Sequence, residues 1–310
     1  MPLPDWFHEA AARVNNWGRW GDDDELGTLN LITPEVVKRA AGCVRTGRSF
    51  SLAWPLSFHE NLQKGNLPGR SVLRTMTAIN DPMLGDPALF TSSDDVVVMG
   101  LQVATHWDGL AHVSYDGRMY NGVPTDSVTA AGASRLGIHK VRSVVSRGVL
   151  LDVARAKGVD RLEGGDGVTP VDLTAAQDAA GVEVEPGDVV LVRTGQMQVL
   201  MGGRPDRSGY AMSSPGLDWR CAEWFHERDV AAVAVDNLTF DPYPVQDPAA
   251  FFPVHLLHLV EMGMLQGQNW VLEELAADCA DDGVYEFLLE ASPHPFTNAV
   301  GSPVNPVATK

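Results

Sequence analysis

Short apolar runs closed by turn residues alternate, along much of the chain, with stretches of helical period. Residues 142–154 (RSVVSRGVLLDVA), 188–195 (DVVLVRTG) and 229–240 (DVAAVAVDNLTF) each hold consecutive Val, Leu or Ala between turn formers. Runs of that kind suit strands covered on both faces. Between and after them, residues 169–181 (TPVDLTAAQDAAG), 214–229 (SPGLDWRCAEWFHERD) and 255–264 (HLLHLVEMGM) carry helical patterns. Thr169 is placed to cap the first of these, with Pro170 at its first helical position. An earlier helix is predicted within residues 31–44 (LITPEVVKRAAGCV), capped by Thr33, opened by Pro34 and followed by Gly42. Residues 60–95, rich in Gly, Pro, Asn and Asp, read as a long surface excursion. From there residues 94–108 (DDVVVMGLQVATHWD) predict one strand, β-branched and without helix caps. Buried strands alternating with helices of 10 to 15 residues define an α/β protein. No linker or compositional shift divides the chain, so one domain over residues 1–310 is expected, with 1–90 as an N-terminal extension and loops packing on the core.

Charge and composition narrow the function classes without naming one. The 310 residues include 23 basic and 40 acidic side chains, so 23 − 40 gives a net charge of −17. No basic run or stripe interrupts that balance, which argues against nucleic acid and anionic membranes as partners. Cys43, Cys221 and Cys279 are widely spaced and odd in number, so neither a disulfide framework nor a local CxxC pair is available. The opening residues lack the basic and apolar segments of a secretory signal, and no stretch reaches 18 uninterrupted apolar residues. A cytoplasmic protein acting on a small-molecule substrate is expected.

One segment, LQVATHWDGLAHVSYDGRMYNG at residues 101–122, concentrates polar side chains of the right chemistry. In an extended strand Gln102, His106 and Asp108 all point the same way; in a helix His106 and Asp108 would diverge by roughly 200°. Gly109 then lets the chain bend and return His112 toward the same point. An amide, an imidazole and a carboxylate converging with positions left open suit a catalytic divalent ion, which must also bind substrate and water. The competing reading is a hydrogen-bonded His in a turn. Glycine-rich GGDGVTP and GGRPDRSG do not lie between a strand and a helix, and neither a GxSxG elbow nor a GxGxxG fingerprint occurs.

The segment THWDGLAHVSYDGRMYNG resembles the HxGTHxDxxxH motif of the cyclase-like metal-dependent hydrolases, a family that includes bacterial kynurenine formamidase and isatin hydrolase. The likeness extends through RWGDDDELGTLNLITP, RGVLLDVA, GDVVLVRTG, VAVDNLTFDP and YEFLLEASPHPFTNAVGSPVNPVA, and so covers nearly the whole chain. It implies a mixed-sheet α/β fold with a barrel-like, swivelling β/β/α core and flanking helices, assembled as a homodimer or homotetramer. It also implies that His106 and Asp108 are metal ligands and that His112 is the proton-transfer residue. Gln102 stands where the motif has its first His, and Ala104 where it has Gly. As a ligand, Gln102 is a neutral oxygen donor that tilts the choice toward Mn²⁺ or Mg²⁺ relative to a His-richer site, and Mn²⁺ or Zn²⁺ is the expected ion; otherwise it hydrogen-bonds substrate or a ligand. Some relatives hold a second metal with a later His and Glu. Here His255 and His258 are present, but Gln268 takes the carboxylate's place, so a single divalent ion is expected. His255 and Gln268 then line the substrate pocket or pack the helix, and Trp107, flanked by two ligands, is its expected aromatic wall.

The implied activity is hydrolysis of an amide, lactam or related carbonyl bond in a small aromatic or cyclic substrate, with metal-activated water and His112 as general acid/base. The alternatives are a metal-dependent cyclase or dehydratase of a secondary-metabolite pathway and a non-catalytic small-molecule binding homologue.

Overall fold

The computed structural model describes residues 2–56, 72–201 and 207–310. Eleven strands organise it: β1 (Ser49–Ser51), β2 (Leu73–Asp81), β3 (Ser92–Val98), β4 (His106–Asp108), β5 (Val145–Asp152), β6 (Val189–Arg193), β7 (Ala232–Val235), β8 (Leu265–Gln268), β9 (Glu286–Glu290), β10 (Gly301–Pro303) and β11 (Val307–Thr309). Nine of them form one sheet in the order β1-β11-β9-β5-β6-β7-β8-β4-β10. The four strands β5 to β8 run parallel, and antiparallel pairs extend the sheet on both sides. The result is the expected mixed α/β architecture, with the sheet curled into a half-barrel and helices along it.

The apolar runs at residues 142–154, 188–195 and 229–240 become β5, β6 and β7, and nearly all their residues are buried. Alternate positions feed two cores. Leu150, Val189, Leu191, Ala232 and Ala234 face one side with Trp107, Phe287 and Leu289. Val149, Leu151, Val190, Val192, Val233 and Val235 face the other, under Phe7, Leu173 and Phe225. Burial of each such Val or Leu contributes about 1.5–3 kcal/mol. The predicted helix starts hold: Pro34–Ala41 begins at a Thr33 cap, and Pro170–Ala180 begins at a Thr169/Asp172 capping box and ends at a left-handed Gly181. Residues 214–229 yield a shorter helix, Cys221–Glu227. Residues 255–264 start as a turn of helix, Pro253–His255, and continue as a π-helical stretch, Leu256–Met262, ending at Gly263. No helix among the described residues is long and apolar enough to cross a membrane.

The single strand expected over 94–108 is two strands. Residues 72–98 form a hairpin of β2 and β3 that stands apart from the large sheet, with Val96, Val97 and Val98 largely exposed. A turn over 101–105 separates it from β4. A Val-rich run is thus compatible with a strand but does not specify which sheet receives it. Residues 60–71 of the expected surface excursion lie outside the described residues.

His258 is fully buried in the π-helical stretch, and neither ring nitrogen has a hydrogen-bond partner among the described residues. Its ring meets the edges of Phe225 and Phe240 at centroid distances of 5.7 and 5.4 Å. Burial, and then the neighbouring charge of His255, push its pKa down to about 3. The unfolded chain takes up that proton below about pH 6.5 while the folded chain stays neutral to about 3, so stability falls as pH drops through this window. His258→Leu should therefore gain on the wild type between pH 7 and pH 4, by on the order of a few kcal/mol at about 1.4 kcal/mol per pH unit. Urea unfolding of both proteins across that range measures it; a difference independent of pH would rule out a neutral buried ring.

Candidate functional site

Strand β4 is three residues long and wholly buried between β8 and β10. Its register sets the site. His106 pairs with Gln268 and Pro303, Asp108 with Gln266 and Gly301, and Trp107 with Gly267 and Ser302. Residues opposite one another share a face, so His106, Asp108, Gln266 and Gln268 project together. Trp107 projects the other way. It is fully buried in the opposite core, edge-on to Trp270 at 4.9 Å, and its indole nitrogen donates to the Ala291 carbonyl at 2.7 Å. The expectation that Trp107 walls the substrate pocket is corrected by the two-residue period of the strand that carries it.

The Asp108 carboxylate is 1% exposed. One oxygen, Oδ2, accepts the Gln268 amide at 2.7 Å. The other, Oδ1, is buried with no hydrogen-bond partner among the described residues, although His106 Nε2 lies 3.5 Å away and His112 Nε2 3.6 Å. Burial opposes ionisation of Asp108, but the neighbouring imidazoles of His112, His106 and His255 outweigh it, holding its pKa well below the usual carboxylate range. His106 has a fixed tautomer: Nδ1 is 2.6 Å from the Ala104 carbonyl, which can only accept, so Nδ1 carries the hydrogen and Nε2 offers a lone pair.

These distances bear on a metal. Two donors about 2.1 Å from a shared ion at a tetrahedral angle stand roughly 3.4 Å apart, close to the His106–Asp108 separation. A buried carboxylate oxygen without a partner, facing an imidazole lone pair, suits a cation. Among the described residues no three His, Cys, Asp or Glu side chains form a full ligand set, so further donors must be amide or water oxygens. Gln102 is the amide at hand. It lies in the turn before β4 and not, as its phasing predicted, in the strand. A Cβ placed on Gly301, opposite Asp108, would come within 2.5 Å of its Nε2, which locates the amide over that position. The donors present fit a divalent ion at His106, Asp108 and an amide.

His255 and Gln268 reach the same cluster from two other elements. Gln268 Nε2 is 3.0 Å from His255 Nε2, which is itself 3.9 Å from Asp108 Oδ2. His255 Nδ1 lies 2.6 Å from Asp241 Oδ2, and Asp241 Oδ1 accepts the Val254 amide at 2.8 Å. Burial lowers the His255 pKa, but the bond and charge of Asp241, aided by Asp108, raise it overall. Phe252, itself in a left-handed conformation (φ 52°), stacks on the His255 ring at 5.4 Å. Asp241 escaped the sequence reading: it belongs to the quoted segment VAVDNLTFDP, but nothing in its spacing ties it to His255, 14 positions later. His258, three residues on, does not join the cluster.

A cavity of about 290 Å³ opens beyond Asp241, between Trp6, Trp219 and Phe252, and none of Gln102, His106, Asp108, His112 or Gln268 lines it. The polar cluster and this cavity are therefore distinct features joined through Asp241.

Comparison with known proteins places the fold. The family model described as putative cyclase matches residues 34–242. A solved structure described as a novel cyclase is 38% identical, with 96% of this chain and 100% of that one covered and a TM-score of 0.87. Isatin hydrolase A from Labrenzia aggregata, bound to benzyl benzoate, is 18% identical over 87% of this chain and 94% of its own, with a TM-score of 0.60. A predicted metal-dependent hydrolase from Bacillus stearothermophilus is 15% identical over 85% and 98%, with a TM-score of 0.54. The last two likenesses establish a shared fold. A search among curated proteins finds no match.

The turn leading into β4 is fastened by Thr105, whose Oγ1 accepts the Trp54 amide at 2.8 Å and donates to the Asn269 carbonyl at 2.5 Å. Thr105→Val keeps the shape and removes both bonds. It should destabilise the fold by about 1–3 kcal/mol, read as a lower urea midpoint at unchanged m-value; an unchanged midpoint would mean that the hydroxyl fastens nothing.

Proposed function

The chain belongs to the cyclase family, and from that membership and the partnerless Asp108 Oδ1 we propose that it is a metal-dependent hydrolase. The bond cleaved is an amide, lactam or related carbonyl bond of a small aromatic or cyclic substrate. A single divalent ion, Mn²⁺ or Zn²⁺, held by His106, Asp108 and Gln102, supplies the charge that polarises the carbonyl and acidifies water. The oxygen-rich donor set favours Mn²⁺.

Each side chain has a definite part. Asp108 keeps its charge despite burial and holds the ion through Oδ1. His106, its Nδ1 hydrogen spent on Ala104, presents Nε2 as a neutral ligand. His112 is partly exposed, so its ring can exchange protons with both the site and solvent. It takes the proton from the attacking water and returns it to the leaving nitrogen or oxygen. His255 and Gln268 close the substrate side of the cluster.

The decisive experiment is elemental analysis followed by assay against N-formyl aromatic amines, lactams and lactones. One Mn or Zn per chain and a product heavier by one water are expected. Asp108→Ala should lose both ion and turnover. His112→Gln should keep the ion and lose turnover by about 10²–10⁴-fold. Full turnover in Asp108→Ala would sink the proposal, and a product lighter by one water would replace hydrolysis with cyclising dehydration.

We also infer that the chain self-associates as a dimer or tetramer. The β2–β3 hairpin supports this: Leu73, Ile79, Val97 and Val98 are 51–70% exposed, and a two-stranded hairpin is marginal alone in water. Light scattering should return the mass of two or four chains, and Ile79→Asp should lower it; a monomer mass for the wild type would refute the inference.

A further inference from the structure

We propose that Asp241 is a positioning residue for the ion site: acting through His255 and Gln268, it decides which oxygen of Asp108 faces the ion. The inference rests on the metal reading above and concerns Asp241, which that reading left without a role. Asp241 is 1% exposed and sits outside the cluster of ion donors, on the far side of the His255 ring.

The relay follows from donor and acceptor counting. A carboxylate oxygen without a proton can only accept, so the 2.6 Å contact of Asp241 Oδ2 places the His255 hydrogen on Nδ1. The Gln268 nitrogen that donates to Asp108 Oδ2 also faces His255 Nε2, and two donors cannot pair, so Nε2 is an acceptor and the ring is neutral in this arrangement. The Gln268 amide nitrogen lies 3.0 Å from that acceptor and 2.7 Å from Asp108 Oδ2. Its two hydrogens match these two acceptors. Turned over, the amide would set its own oxygen against a lone pair and a carboxylate, which is repulsive. Gln268 is thereby held with its nitrogen toward Asp108, Oδ2 is occupied, and Oδ1 alone is left to the point shared with His106 and His112. Four side chains from four separate segments thus fix one carboxylate rotation. Phe252 stacked on the His255 ring keeps the relay planar.

Asp241→Asn reverses the relay with almost no change of shape. The Val254 amide still needs an acceptor, so the new side chain gives its oxygen there and turns its NH₂ toward His255 Nδ1. Nδ1 must then accept, the ring hydrogen moves to Nε2, and Nε2 donates toward Gln268. The Gln268 amide turns over and Asp108 Oδ2 loses its donor.

Two measurements test this on the full chain. In protein labelled with ¹⁵N-histidine, long-range ¹H–¹⁵N correlations should report hydrogen on His255 Nδ1 in the wild type and on Nε2 in Asp241→Asn. Mn²⁺ titration by calorimetry should give an affinity about 10–100-fold weaker for Asp241→Asn and comparably weaker for Gln268→Ala. The double variant should be no weaker than the worse single variant, because both break one chain. A merely structural Asp241 would move neither the tautomer nor this non-additivity. The relay is overturned by an unchanged His255 tautomer, by Mn²⁺ affinity within twofold of the wild type, or by losses that add in the double variant. A wild type that binds neither Mn²⁺ nor Zn²⁺ overturns the ion reading itself, and is distinguished because the fault then appears before any substitution.

Discussion

A carboxylate taken almost wholly out of water sets the terms for everything around it. Asp108 is buried at the end of a three-residue strand, where an uncompensated charge costs several kcal/mol. Charged or polar partners must therefore come to it, and the fold delivers them: Gln268 from the neighbouring strand, His106 from its own strand, and His112 from the turn after Gly109. Even so, one oxygen is left over. The fold tolerates that residue of unmet charge at one place, and there its imidazoles gather.

The rest of the sheet is built on the opposite principle. Strands β5, β6 and β7 are covered on both faces by apolar residues, and their buried polar side chains, Ser146, Arg147, Asp152 and Arg193, stand near the strand ends. The polar set begins at β8, the last of the parallel strands, and continues on β4, which runs against it. Chemistry is thus confined to the place where the sheet changes direction, and the apolar strands beside it provide rigidity.

Much of this was legible in the sequence, for identifiable reasons. Apolar runs bounded by turn residues located β5, β6 and β7, and Thr-Pro pairs marked two helix starts. The spacing of His106 and Asp108 placed them on one face, as the strand register bears out. The same two-residue period, applied one step further, would have sent Trp107 to the far core; proximity in sequence was mistaken for proximity in space. Gln102 reached its position by a turn, for which phasing along a strand gives no guidance. Asp241 was unreadable because its meaning depends on a ring 14 residues away and on the helical turn that aims it. Local periodicity encodes faces, whereas a hydrogen-bond relay is encoded only by the tertiary fold.

The placement of β4 has a consequence for the order in which the molecule assembles. Its two sheet neighbours come from far downstream; the Asp108–Gln268 bond alone spans 160 positions. Closing loops of that length is slow relative to local pairing, and a chain leaving the ribosome exposes His106 and Asp108 long before β8 and β10 exist to receive them. The parallel strands β5 to β7 can meet first. The donor cluster is then completed at the end of synthesis, and until that moment its side chains are ordinary solvated residues with no selective hold on any cation.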